Sequence, residues 1–124
     1  MTKQGEGFWY LATPYSKWAD GLDAAFREAA RVAGEMLKRG EVVYSPIAHT
    51  HPIAIEGKID PLDHSIWLPF DGAMMRAAEG IYVVQMPGWD KSKGIAHEIE
   101  AFRKMGKPLR FVRWPSLEVA DASL

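Results

Sequence analysis

Short apolar runs alternate along the chain with longer stretches in which apolar residues recur every three or four positions, and that alternation predicts the elements. Phe8-Trp9-Tyr10-Leu11-Ala12 reads as a buried first strand, broken at Thr13-Pro14 because Pro14 holds Thr13 extended. From about residue 20 to residue 39, Leu22, Phe26, Ala29, Ala33 and Met36 form the inward stripe of an amphipathic helix, and Gly40 ends it. Residues 41–45 read as a second strand stopped by Pro46. Residues 47–58 show no clear period and read as a loop with a helical turn. A helix then starts at Asp60-Pro61 or at Asp63 and runs to about Ala78, with Pro69 kinking or dividing it. Residues 81–85 form the third strand, 92–105 a helix capped by Gly106, and 109–112 the fourth strand, which Pro115 ends. The tail, residues 116–124, adds a short strand or lies over the surface.

Strands alternating with helices predict one α/β domain spanning residues 1–124. Its sheet is doubly wound, mainly parallel and four- to five-stranded, in a Rossmann- or flavodoxin-like three-layer sandwich. The expected strand order is 2-1-3-4, with the switch point between strands 1 and 3. The loops 12–17, 46–51 and 86–92 then surround one crevice at the carboxyl ends of the strands.

Composition narrows the chemistry. At 124 residues, 48% hydrophobic and 25% charged, the chain suits one ordinary core. A net charge of −1 gives no basic surface for a nucleic-acid polymer or a membrane. No run approaches about 18 apolar residues, and the start is short and polar without a signal pattern, so a cytoplasmic location is expected. With no cysteine, thiolate metal sites and a cysteine nucleophile are excluded.

The most informative stretch is 86–101, MPGWDKSKGIAHEIEA. It reads as strand end, loop and helix N-terminus, with Glu98 one turn inside the helix and Gly94 one turn below it. A helix start presents free N–H groups and a positive dipole end. A small ligand resting on Gly94 therefore meets the Glu98 carboxylate. At about 100° per residue, Ile95, Ile99 and Phe102 face the sheet, and Glu98 lies roughly 60° off that stripe as a boundary residue. The plain alternatives are a solvated glutamate and a Ser92 that only caps its helix.

Around the crevice the sequence places Tyr10, Tyr15, Trp18, Trp89, His49, His51, Asp71, Asp90, Ser92 and Glu98. Several aromatic rings beside a few polar groups suit a flat heterocycle. Two carboxylates, Glu98 and Asp71, suit glycosidic-bond chemistry, although Asp71 taken alone reads equally as a surface or capping residue. His49 and His51 invite a metal-hydrolase reading, with His64, Asp60 or Asp63 as a further ligand, but H-T-H lacks the helical H-E-x-x-H geometry and a definite third ligand, so no metal is expected. No G-x-G-x-x-G or Walker sequence follows a strand.

The ordered set YLATPYS, YSPIAHTHPIA and SKGIAHE resembles the nucleoside 2-deoxyribosyltransferase superfamily, in particular a small bacterial and phage branch of it, to about Val112. The resemblance implies that Glu98 is the nucleophile, that Tyr10 orients it, and that Asp71 contacts the base. Transferases of this superfamily carry a sugar-binding aspartate where this chain has Ser92. The related 2′-deoxynucleoside 5′-monophosphate N-glycosidases carry a serine there that binds phosphate. The implied activity is cleavage or transfer at the N-glycosidic bond of a deoxynucleoside or its 5′-monophosphate, without cofactor. Tyr15, His49, His51, Trp89, Asp90, Ser92 and Gly94 are the expected substrate contacts. The alternative is a nucleotide-binding or sensing module on the same fold without turnover. A homodimer or higher homo-oligomer is expected, from the resemblance and because five Trp and six Met exceed what a core of this size readily hides.

Overall fold

A computed structural model of the chain describes residues 7–121. Residues 1–6, the expected polar start, and 122–124, the end of the expected tail, lie outside the described residues. The elements are β1 (Trp9–Ala12), α1 (Leu22–Lys38), β2 (Val43–Tyr44), α2 (Pro46–Gly57), α3 (His64–Ala77), β3 (Gly80–Val84), α4 (Lys93–Lys104), β4 (Leu109–Val112) and β5 (Val119–Asp121). A single turn of 3₁₀ helix, Trp89–Lys91, joins β3 to α4. The sheet order is β2-β1-β3-β4-β5, parallel except for β5, which pairs antiparallel with β4. This is the expected doubly wound α/β sandwich, with β5 supplied by the tail.

Strand alternation divides the core in two. Trp9 and Leu11 pack with Val32 and Met36 of α1. Tyr10 and Ala12 point to the other face, with Met75 of α3 and Ile95 and Phe102 of α4. That parity matters for the site, because it puts Tyr10 on the same side of the sheet as α3 and α4. The strands pack closely at their start: a Cβ on Gly80 would lie 2.5 Å from the Trp9 ring and 2.7 Å from the Pro108 carbonyl, so only glycine fits there. The end of α3 is tied to the α4–β4 loop by Lys107, whose Nζ donates to the carbonyls of Met75, Arg76 and Ala78 at 3.1, 2.6 and 2.6 Å. A cation on otherwise unpaired helix-end carbonyls is favourable.

Two expectations are corrected. Residues 46–57 are a full helix, not a loop with one turn. Ser45 caps it through a 3.1 Å bond from the Ala48 N–H, and Pro46 occupies its first position, which shortens β2 to two residues. The second concerns Pro69, which does not divide α3: the helix runs from His64 to Ala77 with Pro69 inside it. Asp63 caps that helix, accepting from Ser65 N–H. Among the described residues, no helix is long and apolar enough to cross a membrane.

Candidate active site

A cavity of about 430 Å³ opens at the carboxyl ends of β1 and β3. Its walls are the β1–α1 loop, the start of α2, one face of α3 and the first turns of α4. The sheet's switch point between β1 and β3 creates this opening, because the chain leaves the two strands in opposite directions.

Each wall contributes chemistry for a local reason. On α3, His64, Leu68, Asp71 and Met75 recur at spacings of four, three and four, so one helix face lines the cavity. Ser92 caps α4, its Oγ accepting from the Ile95 N–H at 3.1 Å. The hydroxyl proton therefore remains available to a ligand. A Cβ on Gly94 would meet only Ser92 Oγ, at 3.8 Å, so the space above this glycine is open. Glu98 lies one turn further along the same helix and also lines the cavity.

The Tyr10 hydroxyl donates to Glu98 Oε2 at 3.1 Å. Tyr10 is wholly buried, and burial together with the charges of Glu98 and Asp71 pushes its phenol far above the usual range, so it stays a donor. Glu98 keeps an edge toward the cavity, yet protein crowds its carboxyl. Burial raises its pKa to about 8, with Asp71 adding to the rise and the Tyr10 hydrogen bond opposing it. Asp71 is raised to about 6 by burial, against the opposing charge of His64. Its Oδ1 is buried without a protein partner, as is Thr13 Oγ1 at the end of β1. Buried polar atoms left open in a cavity wall are what a polar ligand or water satisfies. The resemblance implies Tyr10 as the partner of Glu98, and the two are hydrogen-bonded.

Tyr15, Ser92 and Gly94 also line the cavity. Four other candidates do not. His49 stacks on Phe70, with centroids 5.0 Å apart, and lies beside Tyr44. His51 is buried behind Tyr15. Trp89 packs on Phe111 of β4 at 5.3 Å, and Asp90 is exposed in the 3₁₀ turn. Among the described residues, no three His, Asp or Glu side chains come together as a metal site. Sequence reasoning named His64 only as a possible metal partner and missed Trp67, Leu68, Thr13 and Thr50; all five are in the cavity wall. His64 and Leu68 were within reach as cavity residues by stepping seven and three residues back from Asp71 along the helix.

The model of a domain of unknown function, DUF1937, matches residues 7–113, and the chain belongs to that family. No curated protein matches the chain.

Proposed function

We propose that this member of the family cleaves, or transfers across, the N-glycosidic bond of a deoxynucleoside or deoxynucleoside 5′-monophosphate. The observation that carries the reading is the Tyr10–Glu98 hydrogen bond beside Asp71 in a cavity of ligand size. The resemblance of the three sequence motifs to the nucleoside 2-deoxyribosyltransferases supports it.

The chemistry follows from two carboxyls sharing a site. The reacting form has Glu98 ionised and Asp71 protonated, the less populated placement of the pair's proton at pKa values of about 8 and about 6; in it a Glu98 oxygen bonds to C1′ while the C1′–N bond breaks. The bonding pair leaves with the base, and Asp71 delivers its proton to the base nitrogen. Tyr10 keeps the attacking carboxylate aligned. Water then attacks C1′, gives its proton to Asp71, and Glu98 leaves as a carboxylate; a second base in place of water gives transfer. Ser92 and the free N–H groups at the start of α4 suit a 5′-phosphate.

A rival reading, a nucleotide-binding module without turnover, draws on the pKa of about 8 at Glu98, which leaves that group protonated at neutral pH before a ligand enters. A screen of the purified protein against 2′-deoxynucleosides and their 5′-monophosphates, reading free base, separates the two. Base release supports the enzyme; binding of a nucleotide with no base release supports the module.

A further inference from the structure

His51 has an arrangement that neither the reaction nor simple packing uses up. It lies on α2 and is almost wholly buried. Its ring stacks on Phe26 of α1, with centroids 4.7 Å apart and planes 20° from parallel. Its two nitrogens face different groups. Nε2 lies 3.4 Å from Asp23 Oδ1, while Nδ1 lies 2.7 Å from the Tyr15 hydroxyl. Asp23 is itself oriented by Arg27, whose Nε donates to Oδ2 at 2.8 Å.

The partners select the tautomer. A carboxylate accepts only, so the proton of the neutral ring belongs on Nε2, facing Asp23. Nδ1 is then a bare acceptor, and the Tyr15 hydroxyl donates to it. Tyr15 belongs to the loop between β1 and α1, and its side chain lines the cavity. The loop's backbone offers one further tether at this residue, Trp18 N–H to the Tyr15 carbonyl at 3.1 Å. The Tyr15 ring meets the His51 ring edge-on, with centroids 5.8 Å apart.

We propose that His51 is a positioning residue that fixes Tyr15, from behind, as a preformed wall of the cavity, with Asp23 setting the imidazole tautomer. A wall ordered before the ligand arrives removes an ordering cost from binding. The proposal deepens the glycosidase reading and rests on it for its kinetic consequence, not for its geometry.

Three variants test it. Tyr15→Phe keeps the ring and loses the hydroxyl. His51→Leu loses the acceptor. His51→Gln keeps an acceptor toward Tyr15 and a donor toward Asp23. Nitrogen-detected NMR at pH 8 is expected to show His51 protonated at Nε2 and bare at Nδ1, with the Nδ1 resonance moving in Tyr15→Phe. Trypsin cleavage after Lys17, exposed in the same loop, is expected to quicken about five- to tenfold in Tyr15→Phe and His51→Leu, the scale of one hydrogen bond. In His51→Gln it is expected to return toward wild type. On any nucleotide the wild type cleaves, Tyr15→Phe raises KM by a similar factor with kcat within about twofold. An unmoved Nδ1 resonance, or wild-type cleavage at Lys17 in Tyr15→Phe, overturns the proposal even if His51→Leu does not fold. Absence of turnover on every nucleotide overturns the glycosidase reading, and the NMR and proteolysis still decide the role of His51.

Discussion

The Tyr10 hydroxyl reaches the Glu98 carboxylate at 3.1 Å across 88 positions of sequence. It opposes a burial that holds Glu98 near pKa 8 in the folded chain, against an ordinary value of 4.5. The stability consequence has a definite sign. Below about pH 4.5, Glu98 is protonated in both states and costs nothing. Between there and about pH 8 the unfolded chain releases a proton that the folded chain keeps, so stability falls as pH rises. Glu98→Gln keeps an acceptor for Tyr10 and carries no charge. It is expected to match wild type near pH 4 and to exceed it by on the order of 1–3 kcal/mol at pH 8.5. Urea melts at the two pH values measure the gap; a gap that does not change with pH contradicts the burial.

The Asp71 charge adds to the rise at Glu98, and the proposed reaction uses both carboxyls, so the pH profile belongs to both. With values of about 6 and about 8, the pair holds one proton across the neutral range. Attack requires an ionised carboxylate and departure requires an acid, so kcat/KM is expected to rise through about pH 6 and fall through about pH 8. Asp71→Asn removes the acid. Its profile is expected to lose the alkaline limb, with the rate lower by about 10²–10⁴. An unaltered bell in Asp71→Asn assigns the proton donor elsewhere.

Ser92 both caps α4 and faces the cavity. A nucleoside 5′-monophosphate is therefore expected to bind better than the matching nucleoside. Ser92→Ala is expected to weaken the monophosphate by about 1–2 kcal/mol and to lower stability by about 1 kcal/mol through the lost cap. Ser92→Asp is expected to abolish the preference by charge repulsion. Calorimetry with the paired ligands reads the difference, and equal affinities in the wild-type protein leave Ser92 as a cap only.

Ile53 and Ile55 of α2, Leu62 of the following loop, and Ile66 and Leu68 of α3 are exposed. Leu62 and Leu68 also line the cavity. A second copy covering these residues would bury apolar surface and close the cavity mouth together. Sedimentation is expected to give at least twice the 13.9 kDa of one chain, and Leu68→Glu to shift it toward the monomer. A monomeric wild-type protein at high micromolar concentration rules the arrangement out.

The β/α alternation was legible because its strands are apolar runs and α1 carries a regular stripe. The helix α2 was not, because its pattern is inverted. Its buried positions are Pro46, Thr50, His51 and Ala54, whereas Ile53 and Ile55 face outward. The Ser45-Pro46 cap was the one local signal of it. At the candidate site, Glu98 was read from helix phase and resemblance, and Asp71 and Tyr10 from resemblance; strand parity puts Tyr10 on the side of the sheet where α3 and α4 pack. Nearness in sequence to a crevice loop was a poorer guide. Trp89 turns to β4 and His49 to Phe70, directions set by packing that no single-chain spacing encodes.

In the proposed reaction Glu98 forms and releases a bond to the sugar. The direct measurement is free base released from 2′-deoxynucleoside 5′-monophosphates by wild type and by Glu98→Gln, with intact mass taken after acid quench. Release by wild type, a sugar-phosphate adduct on the peptide carrying Glu98, and a rate at least about 10³-fold lower in Glu98→Gln with the fold intact are expected. Equal release by the two proteins rules out Glu98 as the nucleophile.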